Sequence, residues 1–185
     1  MNKKIVIIIV VLVFSLIGII IGRLSISDIK IQNKNDWNVY FANLQTSIIN
    51  GEAFVPVLPE IESTSIKAYD VLISKPGDFA TYTFDVINDG DIDAKLENFT
   101  KIEPKCISLA LPENFDDEKI VCNNLEYSIT YTKNGNEVKL SDILKAKSKE
   151  NLTLKIGYKE SSLEIPKDDV QITLFDMTLV YNHSK

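Results

Sequence analysis

Histidine is nearly missing from this chain of 185 residues: the only one, His183, lies close to the C-terminus. A nucleophile-base-acid relay needs a base held to fractions of an ångström, and a terminal residue is poorly held. No catalytic residue is therefore assigned. Cysteine is almost as scarce, with two residues, Cys106 and Cys122. Two thiols and one imidazole cannot complete a tetrahedral zinc site without carboxylates brought from elsewhere, and the motif H-E-x-x-H is absent, so no cofactor is expected. An excess of basic residues is lacking too: the net charge is -6. Setting aside Lys3, Lys4 and Arg23 leaves 17 basic against 26 acidic residues, a net of -9 for the rest. That charge excludes nucleic acid as a natural partner and disfavours adhesion to anionic lipid through a basic patch.

What the chain does have is a long hydrophobic run. Residues 5–22 are uncharged and consist almost entirely of Ile, Val and Leu. At 1.5 Å rise per residue they cover about 27 Å as a helix, enough for the hydrocarbon core of a bilayer. Lys3 and Lys4 in residues 1–4 place the N-terminus on the cytoplasmic side, and everything after Arg23 outside. The segment predicts a single-pass signal anchor in the cell membrane. Its alternative is a signal peptide whose removal would leave a secreted protein, but the apolar run is long for one and no A-x-A-like cleavage site follows. Residues 23–36 read as a stalk, and residues 37–183 as one extracytoplasmic domain. There, two cysteines at modest spacing read as a disulfide, Cys106 with Cys122.

Beyond the stalk the pattern changes to a period of two, the mark of half-buried strands. Leu152, Leu154, Ile156 and Tyr158 alternate with polar residues; so do Tyr127, Ile129 and Tyr131, and Tyr82, Phe84 and Val86. Trp37, Val39 and Phe41 form an earlier set. Lys75-Pro76-Gly77-Asp78 has the residues of a type II turn, and Asn88-Asp89-Gly90 and Asn134-Gly135-Asn136 those of tight hairpins, the latter at the tip of a hairpin over 127–140. In the last strand the apolar parity changes between Leu174 and Phe175, which predicts a β-bulge or a strand buried on both faces. Ser141 to Lys147 offers one helical turn. The fold class is all-β: an immunoglobulin-like antiparallel β-sandwich behind a single transmembrane helix.

Candidate sites are few. Asp85, Asp89, Asp91 and Asp93 suggest calcium, but with Gly90 at the glycine position of an EF-hand loop, Ile87 and Leu96 fall where ligands belong. A looser loop through Asp89, Asp91 and Asp93 is the remaining candidate, against a solvated hairpin tip. Asp116, Asp117 and Glu118 read as a loop inside the disulfide. Trp37 shares parity with the core, which leaves Tyr40 as the better surface aromatic. Asn98, Asn151 and Asn182 lie in glycosylation sequons, and the heavy use of Ile, Lys and Asn points to an AT-rich bacterial genome.

The run from Val71 through Pro76-Gly77-Asp78 and Phe84-Asp85-Val86-Ile87-Asn88-Asp89-Gly90 to Leu96 resembles the L-x-x-P-G-D … F-x-V-x-N-x-G segment of bacterial surface β-sandwiches of the camelysin and TasA biofilm-fibre type. The resemblance implies a surface or matrix-associated structural module, with self-association or a cell-surface protein or polysaccharide as partner. Binding of a carbohydrate, peptide or calcium ion is the alternative. The proteolysis associated with camelysin is not carried over, because no zinc-binding motif accompanies the match.

Overall fold

The computed structural model describes residues 37–101 and 103–183. The expected anchor over 5–22 and stalk over 23–36 lie outside them. Among the described residues no helix is long and apolar enough to cross a membrane.

The described chain is mostly strand, and every strand pairing is antiparallel. In chain order come β1 (Val39–Asn50), β2 (Phe54–Val57), β3 (Glu60–Glu62), β4 (Ser65–Ile73), β5 (Phe79–Asn88), β6 (Ala94–Lys101) and β7 (Lys105–Ser108). Helix α1 (Phe115–Asn123) follows, then β8 (Leu125–Tyr131), β9 (Ile143–Leu144), β10 (Ser148–Tyr158) and β11 (Val170–His183). One sheet runs β1-β5-β10-β8; the other runs β2-β4-β11-β6-β9, with β3 on β4 and β7 on β11.

The alternating residues build the core. Tyr82 and Phe84 of β5 and Leu154 of β10 are fully buried, and Leu152 and Ile156 nearly so. They join one cluster with Val71 and Ile73 of β4, Leu96 of β6, and Val170, Ile172 and Leu179 of β11, so the two sheets share one core. Each such side chain contributes about 1.5–3 kcal/mol through removal from water. Val39 and Phe41 are buried as expected, while Trp37 is half-buried, its ring centroid 4.5 Å from that of His183.

Turn chemistry held in two places and failed in one. Gly77 has φ 89° and Asp78 N–H donates to the Lys75 carbonyl at 3.1 Å, the geometry of the expected type II turn. Gly135 has φ 71°, and Tyr131 N–H donates to the Asn136 carbonyl at 2.8 Å, so a hairpin tip forms there. Its return arm is short, however: Thr130 pairs with Glu137 in an isolated bridge rather than a strand running to residue 140. Asn88-Asp89-Gly90 is not a tight hairpin, because β5 and β6 belong to different sheets. Asn88, fully buried, donates to the carbonyls of Ile92 (2.8 Å) and Leu144 (3.2 Å) and fastens this crossing.

The helical turn expected over Ser141 to Lys147 is instead β9, in which Leu144 pairs with Ala94 and is buried. Residues too few to sustain a helix gain more by adding a strand to β6. Conversely, the acidic stretch inside the disulfide is α1, where the Asn114 side chain caps Asp117 N–H and Asp116, Asp117 and Glu118 fill the first turn. Asn followed by three acids is a helix-start signal, and carboxylates there complement the helix dipole. The disulfide joins Cys106 of β7 to Cys122 of α1, with Cα atoms 5.9 Å apart.

Leu154→Ala is expected to cost about 2–5 kcal/mol, read as a lower urea midpoint at constant slope, while Leu163→Ala, at a position 97% exposed, should stay within about 0.5 kcal/mol. Replacing both cysteines by Ala opens a loop with a sequence separation of 16 and should cost about 3 kcal/mol in the same assay.

Candidate functional site

Strand β8 is an edge of one sheet and β9 an edge of the other, and a cleft of about 620 Å³ opens beside them. Its floor is the core itself: Val86, Leu144 and Leu152, each at most 4% exposed. Its walls carry two phenols from different sheets, Tyr131 at the end of β8 and Tyr181 near the end of β11. The strand period explains both, since each occupies an inward parity at a position where the core has run out of covering strand.

The polar groups are interlocked. Tyr131 Oη donates to Asp142 Oδ2 at 2.8 Å, and Lys139 N–H donates to the same oxygen at 2.8 Å. Lys133, on the hairpin tip, donates to both oxygens of Glu150 at 2.8 and 2.9 Å and lies 5.5 Å above the Tyr131 ring centroid. Burial pushes the Tyr131 phenol pKa up, helped by the Asp142 carboxylate; burial does the same at Tyr181, helped by the charges of Asp142 and Glu150. Both phenols therefore stay protonated at neutral pH and remain donors. Asn134, Asn136, Glu137 and Lys139 complete the rim. A concave site of this size with convergent polar groups is one form that ligand sites take.

The residues singled out in the sequence lie elsewhere. Asp89, Asp91 and Asp93 occupy the crossing from β5 to β6, facing residues 145–147. Asp93 pairs with Lys145 at 2.8 Å and accepts Ala146 N–H at 2.8 Å, while Lys147 lies 3.1 Å from Asp91 and 3.9 Å from Asp89. The chain thus supplies its own cations to this acidic loop. Among the described residues no group of three His, Cys, Asp or Glu side chains is arranged to hold a metal ion. Asp85 is separate from them: it accepts from Asn43 (2.8 Å), Asn151 (2.9 Å) and Lys149 (3.2 Å) across β1, β5 and β10. Burial alone would raise its pKa, but these hydrogen bonds prevail and lower it. Tyr40 is half-buried on β1, and His183 is held at the end of β11 against Trp37 rather than frayed.

Sequence reasoning missed the cleft because its members come from β5, β8, β9, β10, β11 and the loop before β9. The polar cluster Lys133-Asn134-Gly135-Asn136 signalled only a turn. No protein-family model, curated protein or solved structure matches this chain.

Because the folded pKa of Asp85 lies below its unfolded value, its stabilisation is present above the unfolded pKa and lost as pH falls through the folded one. Denaturation curves should therefore show Asp85→Asn less stable than the parent at pH 7, with the gap closing below about pH 4. Millimolar calcium, or its chelation, should move the melting temperature by less than about 1 °C, since lysines already neutralise the acidic loop.

Proposed function

We propose that this protein is a non-enzymatic interaction module of the bacterial cell surface or matrix, an immunoglobulin-like β-sandwich held outside the membrane by a single N-terminal helix over 5–22. The observation that carries this reading is the Cys106–Cys122 bond, which joins the only two cysteines of the chain. Such a bond persists where the surroundings are oxidising, and it is rare in the cytosol. The uncharged run after Lys3 and Lys4 supplies the means of crossing and the orientation. The resemblance of residues 71–96 to camelysin and TasA supports the same location, and two of its signatures, the turn at Lys75 to Asp78 and the Asn88 crossing, flank β5.

The distribution of exposed apolar residues favours an interacting surface. The described chain begins beside the Asn88 end of β5, and the opposite end of that strand is Phe79. Beyond it lie Leu111 before α1, Phe115 at its first position, and Leu163 and Ile165 between β10 and β11, from 64% to 98% exposed. A domain that gathers exposed apolar tips at one end is disposed to meet a partner. That partner is a second copy or another surface component.

Intact cells expressing the full chain, treated with a membrane-impermeant amine reagent, should be labelled on this domain, and thiol alkylation should succeed only after reduction. A chain found dissolved in the cytosol, with both thiols reactive at once, would overturn the reading.

A further inference from the structure

The geometry points to the cleft between β8 and β9 as a binding site for a neutral saccharide. This deepens the interaction-module reading and rests on it for access to an extracellular ligand. Three features of the cleft select the chemistry.

Charge comes first. Lys133 and Lys139 face Glu137, Asp142 and Glu150, and Lys133 is already spent on Glu150. An anionic ligand would meet the carboxylates of Glu137 and Asp142, and a cationic one the two lysines. A neutral ligand avoids both repulsions.

Hydrogen bonding comes second. The phenols of Tyr131 and Tyr181, the amides of Asn134 and Asn136, the ammonium of Lys139 and the carboxylate of Glu137 mix donors and acceptors around one opening. Hydroxyl groups, each one donor and two acceptors, match such a mixture from either side. The rings of Tyr131 and Tyr181, which line the same opening, suit the C–H faces of a sugar ring.

The third feature disfavours an extended peptide. A peptide would bind most simply by adding a strand to the edge of β8, but beside the cleft the returning arm already takes the part of that edge from Ile129 to Tyr131. Tyr131 N–H donates to the Asn136 carbonyl (2.8 Å) and Val138 N–H to the Ile129 carbonyl (3.0 Å). Recognition at this cleft falls to side chains.

The test uses the full chain in lipid nanodiscs, free of sugar-headed detergent, titrated by isothermal calorimetry and saturation-transfer NMR. The ligands are maltotriose, cellotriose and the β-1,4-linked N-acetylglucosamine trimer, with trigalacturonate, trilysine and a neutral extended hexapeptide as contrasts. At least one neutral trisaccharide should bind, and the three contrasts should not. Tyr181→Phe and Glu137→Gln, which keep side-chain shape and hence the fold, should each weaken binding about tenfold, the size of one lost or weakened hydrogen bond with its partner left behind. Lys67→Ala, remote on β4, should leave it unchanged. Failure of all three trisaccharides at 10 mM, indifference of binding to both cleft variants, or preference for the hexapeptide or a charged ligand each overturns the proposal. The surface-labelling result is independent: a labelled chain that binds no trisaccharide removes this inference alone, whereas a cytosolic chain removes the location.

Discussion

Side chains on a strand alternate between two faces, so a strand that serves partners offset in register must gain or lose a residue of phase along its length. Strand β11 meets that demand. It pairs with β4 on one side; on the other it pairs with β7 from Val170 to Thr173 and with β6 from Met177 to His183. The register shift between Ile172 and Phe175 falls at this handover. Without it, either Val170 and Ile172 or Met177 and Leu179 would face water, and all four are buried. The second sheet, and with it one wall of the core, depends on that slip.

The loops are tied down by buried polar groups rather than by further apolar packing. Asp78, 1% exposed, accepts N–H groups from Glu52, Ser74 and Lys75, and so locks the β1–β2 turn to the one before β5. Asp117, 2% exposed, accepts from Lys167, Asp168 and the Asn114 amide, which holds α1 against the loop before β11. Hydrogen bonds to a charged acceptor contribute about 1.5–3 kcal/mol each, and a buried carboxylate deprived of them would be costly. Together with the disulfide, these ties fix the end of the domain that carries the exposed apolar tips.

The cleft arises from the same economy. Both sheets end there on short or half-covered edges, β8 with its brief return arm and the two-residue β9, so the core is covered by side chains instead of strand. Tyr131 and Tyr181 serve because a phenol seals an apolar floor with its ring while keeping a hydroxyl at the mouth. The interlocking of Tyr131 with Asp142 and of Lys133 with Glu150 holds the walls in place.

The division between what was legible in the chain and what was not follows the range of the interactions. Local rules sufficed for the parity of β5 and β10, the positive φ at Gly77 and Gly135, the phase slip after Leu174, and the pairing of the two cysteines, because each depends on neighbours in sequence or on there being only one choice. The Asn114 cap was also legible, though the acidic run masked it as a loop. Tertiary contacts decided the rest. Asn88 and Gly90 carry turn residues whether they close a hairpin or cross between sheets, and only the position of β6 in the other sheet makes them a crossing. Residues 143 and 144 became strand because β6 offered an open edge. The cleft gathers residues from 86 to 181 on separate strands and loops, a juxtaposition no periodicity encodes, since it exists only once two sheets have closed over one core.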